Sequence, residues 1–243
     1  MCSSAVGRWW RPFGIVGEAT VFHVDLAPHA AHEARASEWL NAEERVRSDR
    51  YLHAGSRRRF TLCRAALRAV LCSRLACSGQ QLTFGTSSYG KPFARVDEMP
   101  NRISFNVSHG GSHGLIAVAP HGRLGVDIEE RSTRDDLSSL TDAVLGPSEE
   151  REFALLRGYR RTHFFFRMWT LKEALIKALG VGFSQDPAKF EVPLAVRRGA
   201  KTGMHRFPNL PQTEWRVDDL GTGDFAAAVA IEASPRRSQM SSE

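Results

Sequence analysis

The sequence predicts an α+β fold built from two similar halves. Alternating, β-branched stretches and helix-period stretches are mixed, without the strict strand–helix–strand rhythm of a parallel sheet. Their order, roughly strand–helix–helix–strands, runs twice along the chain. A length of 243 residues with 42% hydrophobic content is enough for a sizeable core, in one large unit or two smaller ones. No residue-level repeat accompanies the repeated order, so the halves are inferred from the elements alone.

The elements follow in chain order. Residues 1–19 read as an N-terminal extension. Thr20–Leu26 alternates and predicts a strand. Ala34 to Tyr51 is rich in Glu and Arg and predicts a helix with a solvated face. Ser56 to Ala76 places Phe60, Cys63, Leu67, Val70 and Leu71 at helical spacing, and Ser78-Gly79 closes that helix. Leu82–Thr86 is a short strand, and Ser87–Pro92 a turn. Ile103–Val107 and Leu115–Ala119 are strands, separated by a polar loop from Ser108 to Gly114. Leu124–Glu129 is a further strand and opens the second half, so the subdomains are 20–121 and 122–233. Pro147-Ser148 starts a short helix. Thr162 is the expected N-cap of a long helix to Leu179, with Gly180 just beyond its end. Phe190–Val196, Glu214–Val217 and Phe225–Ile231 read as strands, and residues 234–243 as a disordered tail.

The formal net charge of +6 favours anionic partners without choosing among them. The four cysteines, Cys2, Cys63, Cys72 and Cys77, contain no Cys-x-x-Cys pair, which argues for buried thiols rather than a zinc site. No stretch reaches the roughly 18–20 apolar residues of a membrane span, and no signal peptide is legible. The expectation is a cytoplasmic, soluble protein. Helix-turn-helix, zinc-finger and RNA-recognition signatures are missing, which speaks against a nucleic-acid binder. Neither a Walker A motif nor kinase loops appear.

Several constellations could carry chemistry. In Gly125-Val126-Asp127-Ile128-Glu129, strand alternation puts Asp127 and Glu129 on one face. A hard divalent cation with oxygen ligands would relieve their repulsion, and a solvated strand face explains them as well. In Trp169–Lys177, Glu173 and Lys177 are four apart on a helix, with Trp169 a turn earlier; an ordinary Glu–Lys surface pair fits equally. Phe164-Phe165-Phe166 just upstream reads as core. Ser108 and His109 end a strand at a glycine-bearing loop, where hydroxyl, ring and amides can donate to phosphate. Adjacent residues seldom make a nucleophile–base pair, and there is no G-x-S-x-G elbow. In Tyr89-Gly90-Lys91-Pro92, Gly90 permits close backbone approach, Pro92 stiffens the turn and Lys91 offers a point charge. Arg57, Arg58 and Arg59, with Arg47 and Arg50 before them, form a basic cluster suited to phosphate or to solvent.

In this order and together, the stretches YGKP (89–92), FNVSH (105–109), GVDIE (125–129) and WTLKEALIKALG (169–180) resemble the phosphopantetheinyl transferase superfamily. The resemblance is to its larger, pseudo-dimeric type, which activates polyketide and nonribosomal peptide synthetases. It implies two similar α/β subdomains related by a pseudo-twofold, with coenzyme A in the cleft between them. It also implies Asp127, Glu129 and Glu173 as ligands of Mg²⁺, in a site that would accept Mn²⁺ as well. By the same resemblance Lys177 contacts phosphate and assists the leaving group. Gly90, Lys91, Pro92, Ser108 and His109 bind the coenzyme, and Arg47 and Arg59 lie near its ribose phosphate. Matching is looser there, so Arg50, Arg57 and Arg58 are alternatives. The implied reaction moves 4'-phosphopantetheine to a serine of an apo acyl or peptidyl carrier protein, with Glu173 as candidate base and His109 as a donor. The implied state is a monomer.

Overall fold

The computed structural model describes residues 8–131, 137–180 and 185–233. In the first half, β1 (Trp10–Val16) and β2 (Ala19–Asp25) form a hairpin, followed by α1 (Ala30–Trp39), α2 (Ala42–Asp49) and α3 (Ala54–Leu75). Then come β3 (Leu82–Thr86), β4 (Pro92–Val96), β5 (Met99–Pro100), β6 (Ser104–Gly110) and β7 (His113–Ala119). The second half holds β8 (Leu124–Glu130), α4 (Leu137–Val144), α5 (Pro147–Leu155), α6 (Gly158–Leu179), α7 (Leu194–Arg197), β9 (Thr202–His205), β10 (Trp215–Asp219) and β11 (Phe225–Glu232).

Two four-stranded antiparallel sheets run β1-β2-β7-β6 and β8-β11-β10-β9. The order β2-β7-β6 is reproduced as β8-β11-β10, and a 22-residue helix follows the first strand of each set: α3 in one half, α6 in the other. Three apolar cores fill the gaps between four layers. Val24, Phe105, Ile116 and Val118 pack against α3. Val217, Ala226, Ala228 and Ala230 pack against α6. Val21, Leu115, Ala117, Val126, Ile128 and Val229 fill the space between the sheets. Each strand thus spends alternate residues on two cores, which is why these strands read as nearly continuous apolar runs.

Several expected boundaries are corrected. Part of the supposed extension 1–19 is β1, and Trp9 is buried with its indole N–H donating to Leu62 O at 3.0 Å. Pro12 and Gly14 disguise this strand; its register shifts between them, and as an edge strand it tolerates the proline. Residues 1–7 and the tail 234–243 lie outside the described residues. The helix expected from Ala34 to Tyr51 is two helices. Leu40 ends the first in extended backbone, and Asn41 caps the second, accepting from Glu44 N while Glu44 accepts from Asn41 N. α3 ends at Ala76, in the left-handed region at φ 50°, ahead of Ser78-Gly79. The loop expected at 108–114 is mostly strand: Gly110 pairs with His113, and Gly111 at φ 55° makes the tight turn. α6 begins at Gly158 rather than Thr162 and ends at Gly180 as expected, at φ 72°. Phe190–Val196 is no strand. Its apolar residues Phe190, Val192 and Val196 enter the α6 core from a segment broken by Pro187 and Pro193. The small sheet β3-β4-β5 and the strand β9 had no expectation beyond β3.

Candidate active site

β6 and β8 are edge strands of different sheets, and they lie side by side. The Asn106 side-chain carbonyl accepts from the backbone N–H of Val126 at 2.8 Å, so a side chain of one half satisfies the open edge of the other. Two residues along β6, Ser108 Oγ donates to Asp127 Oδ1 at 2.7 Å. On β8 the even positions Val126 and Ile128 enter the core between the sheets, while the odd positions face α6. Gly125 is required for that approach, because a Cβ there would stand 2.2 Å from Ala174 O. The absence of a side chain lets α6 lie close enough for Lys177 Nζ to reach Asp127 Oδ1 at 2.6 Å and Ser108 Oγ at 3.0 Å.

Asp127 is only 2% exposed, and its second carboxylate oxygen, Oδ2, has no hydrogen-bond partner. Glu173 stands one turn before Lys177. Burial, and then the negative charge of Asp127, push its carboxyl pKa up, against the pull of Lys177. Glu129 lies along the β6–β7 hairpin: its Oε2 would be 3.1 Å from a Cβ placed on Gly110. Burial lowers the pKa of His109, and the cations Arg59 and Lys177 lower it further, with Asp127 acting in the other direction. The imidazole is therefore neutral at pH 7.

The structure thus brings Ser108, His109, Asp127, Glu173 and Lys177 together, with Arg59 close enough to be felt. The turn Tyr89–Pro92 meets the same place from the side. With Asn106, Glu173, Ile176, Lys177 and Gly180 it lines a cavity of about 490 Å³. Gly90 has φ 82° in that turn. Lys91, however, points its ammonium at Leu124 O (2.8 Å) and Lys177 O (2.9 Å), bracing β8 against the end of α6. Burial, with Arg123 nearby, lowers its pKa to about 8. Arg47 lies over the Phe60 ring at 5.2 Å and lines a separate hollow of about 660 Å³ with Val46, Arg50 and Tyr51. Arg58 is spent on Leu26 O, and Arg59 donates to Ser56 Oγ.

Of the three expected metal ligands, Asp127 and Glu173 are close enough for their charges to interact, while Glu129 lies against the β6–β7 hairpin, and the three form no cage. Among the described residues no group of three His, Cys, Asp or Glu side chains is placed to hold an ion. Lys177 neutralises Asp127 instead. The donor set still suits a hard cation: carboxylate oxygens only, one of them buried and unpartnered.

Sequence reasoning missed three supports. Asn106, a poor strand former inside a strand, was a legible signal. Glu130 accepts from Ser112 N at 3.0 Å and latches the hairpin. Lys172 and Glu149, both without solvent exposure, form an ion pair beneath α6.

Two family models divide the chain between them. The one described as "4'-phosphopantetheinyl transferase, N-terminal" matches residues 26–121, and "4'-phosphopantetheinyl transferase superfamily" matches residues 123–230. A putative 4'-phosphopantetheinyl transferase of Synechocystis sp. is 37% identical over 60% of this chain and 58% of its own length. The 4'-phosphopantetheinyl transferase HetI of Nostoc sp. is 35% identical over 79% of this chain and 78% of its own. Among solved structures, a holo-(acyl-carrier-protein) synthase from Bacillus anthracis in complex with CoA (3',5'-ADP) matches at 21% identity and TM-score 0.33. That match covers 46% of this chain and 96% of the synthase. By class the chain is a transferase. It belongs to the 4'-phosphopantetheinyl transferase superfamily.

Proposed function

We propose that this protein transfers the 4'-phosphopantetheine moiety of coenzyme A to a serine of an apo acyl or peptidyl carrier protein, releasing adenosine 3',5'-bisphosphate. The observation that carries the reading is the contact of Lys177 with both Ser108 and Asp127, which joins the two halves at one polar point. Coenzyme A lies in that seam, against the Tyr89–Pro92 turn and the cavity beside it.

The serine oxygen forms a bond to the phosphorus that bears pantetheine, and the bond from that phosphorus to the nucleotide phosphate oxygen breaks. Glu173 is the base in this reading. Lys177 and the Ser108 hydroxyl donate to the phosphate oxygens, and neutral His109 adds an N–H donor without requiring a second cation beside Lys177. Arg59 supplies positive charge on the same side, and Arg47 lies further along the same helical layer.

Asp127, Glu129 and Glu173 would hold Mg²⁺, or Mn²⁺ in its place. When bound, the ion neutralises charge on the pyrophosphate oxygens. The unpartnered Oδ2 of Asp127 supports this assignment, since a buried carboxylate oxygen left without a partner costs about 1–3 kcal/mol. The protein acts as a cytoplasmic monomer in this reading, because two halves in one chain already build the seam. Among the described residues no helix is long and apolar enough to cross a membrane.

Intact-mass spectrometry of an apo carrier protein incubated with enzyme, coenzyme A and Mg²⁺ tests the proposal. The expected result is a gain of one phosphopantetheine. That gain is absent with EDTA and with an Asp127→Ala, Glu173→Ala variant. No gain on several unrelated carriers, with no coenzyme A binding, would refute it.

A further inference from the structure

One face of α6 runs through the active site and out of it. Lys177 stands five full turns after Tyr159, so the two share a face, with His163 and Glu173 beside them. This face is laid antiparallel along β8. At one end Lys91 bridges Leu124 O and Lys177 O. At the other, Arg131, just past β8, lies close enough to Tyr159 and His163 for their charges to interact. Following the face from Glu173 towards the start of α6 leads to a hollow of about 520 Å³ that the proposed chemistry does not use.

The hollow is strongly basic. Five Arg or Lys side chains line it against the single acid Asp219. That acid is already engaged by Arg167 at 2.8 Å and Lys201 at 3.6 Å. Arg197 is drawn to Glu152 and Glu191, and its buried Nε has no partner. Arg160 and Arg198, both exposed, make no ion pair among the described residues. Burial and the surrounding Arg131 and Arg167 lower the pKa of His163, so it adds no charge but registers the positive field. Apolar surface adjoins this charge: Tyr159 is 66% and Leu155 84% exposed, and Phe164 lines the hollow.

We propose that this hollow is the docking surface for an acidic, partly apolar segment of the protein substrate, and that it holds the substrate while its serine enters the seam. The inference rests on the reading that the acceptor is a carrier protein. Two uncompensated guanidiniums beside an exposed tyrosine and leucine match carboxylates alternating with apolar side chains. The spacing also suits one small partner. Arg160 precedes Glu173 by 13 residues, about 20 Å along the helix. A domain of ~100 residues has a radius of gyration of ~13 Å, so it can touch both places at once.

The test compares wild type with Arg160→Glu/Arg198→Glu, using an acidic apo acyl carrier protein as substrate at low and high salt. The expected result is a rise in the apparent KM for the carrier of about tenfold or more at low salt, with kcat and the KM for coenzyme A within about twofold of wild type. The salt dependence of the carrier KM should shrink as well. If the reversal lowers the melting temperature, Arg160→Gln/Arg198→Gln removes the charges without adding acids and should raise the same KM by about threefold or more. An unchanged carrier KM in a folded variant would overturn the docking surface and leave the transferase reading standing. A wild type that loads no carrier would remove both.

Discussion

Replacing Lys172 by Met should be among the most damaging single changes in the second half. Lys172 and Glu149 are both fully buried. All three ammonium hydrogens are used: on Glu149, on Val144 O at 2.7 Å and on Pro187 O at 2.9 Å. Glu149 also accepts from Gly146 N at 2.8 Å and Val192 N at 2.7 Å. Lys172→Met leaves a buried carboxylate without its counter-charge, which costs about 3–5 kcal/mol. For a chain of this size about 2–4 °C is lost per kcal/mol, so the melting temperature should fall by about 6–20 °C. Adding Glu149→Gln removes the stranded charge. The glutamine amide can accept from only one of Gly146 N and Val192 N, and the carbonyls of Val144 and Pro187 stay orphaned, so the double variant should recover only part of the loss, about 1 kcal/mol over the single one. Urea unfolding of the four proteins gives the cycle. A loss below about 1 kcal/mol for Lys172→Met, or a double variant no more stable than the single, would refute the account of this pair.

Three further outcomes are expected. Mg²⁺ at 100 times its dissociation constant should stabilise wild type by about 2.7 kcal/mol in a thermal shift assay, while Asp127→Ala should show little response; equal shifts would remove Asp127 from the metal site. Burial holds His23, which is paired with His113, and His205 each at a pKa of about 4, below the ordinary 6.5. Their neutral forms are favoured in the folded state, so stability is full above pH 6.5 and falls as pH drops towards 4, by on the order of 2 kcal/mol per histidine at pH 5. His23→Phe should flatten part of that decline in urea titrations run across this range, and an unaltered slope would count against the assignment. Lys91→Met should lower stability by about 1–3 kcal/mol through loss of the two carbonyl contacts. If Lys91 also meets the coenzyme, the KM for coenzyme A should rise with kcat nearly unchanged; a stability loss with unchanged KM would confine Lys91 to bracing the seam.

What the sequence made legible depended on how local the cause was. Short apolar or β-branched runs placed β2, β3, β8 and β11 within a residue or two, because each buries apolar side chains whatever its partners. Gly180 marked the end of α6 because a left-handed residue there favours glycine. β1 was missed because its edge position, which tolerates Pro12, is a property of the sheet and not of the segment. Phe190–Val196 misled for the opposite reason: its apolar residues face a core, but without a strand beneath them. Strand periodicity put Asp127 and Glu129 on one face and helix spacing put Glu173 with Lys177, each within one element, but only the family resemblance joined the three acids into one set. Asn106 against Val126, and Lys91 against Leu124 and Lys177, could not be read from periodicity, since each contact crosses between halves.

That division bears on how the site can vary. Ser108 and His109 come from β6 of the first half, and Asp127, Glu173 and Lys177 from the second, so neither half holds the constellation alone. The only side chain between the strand edges that satisfies a β8 backbone donor is that of Asn106, among the described contacts. Gly125 lets α6 approach β8, and Lys91 pins the two together at the same end. A change at Asn106 or Gly125 would shift Lys177 relative to Ser108 without touching an acid or a cation of the site, and a change at Lys91 would do so by removing the brace. Their effect should therefore fall on the alignment of the two halves, and through it on every donor that the reaction needs at once.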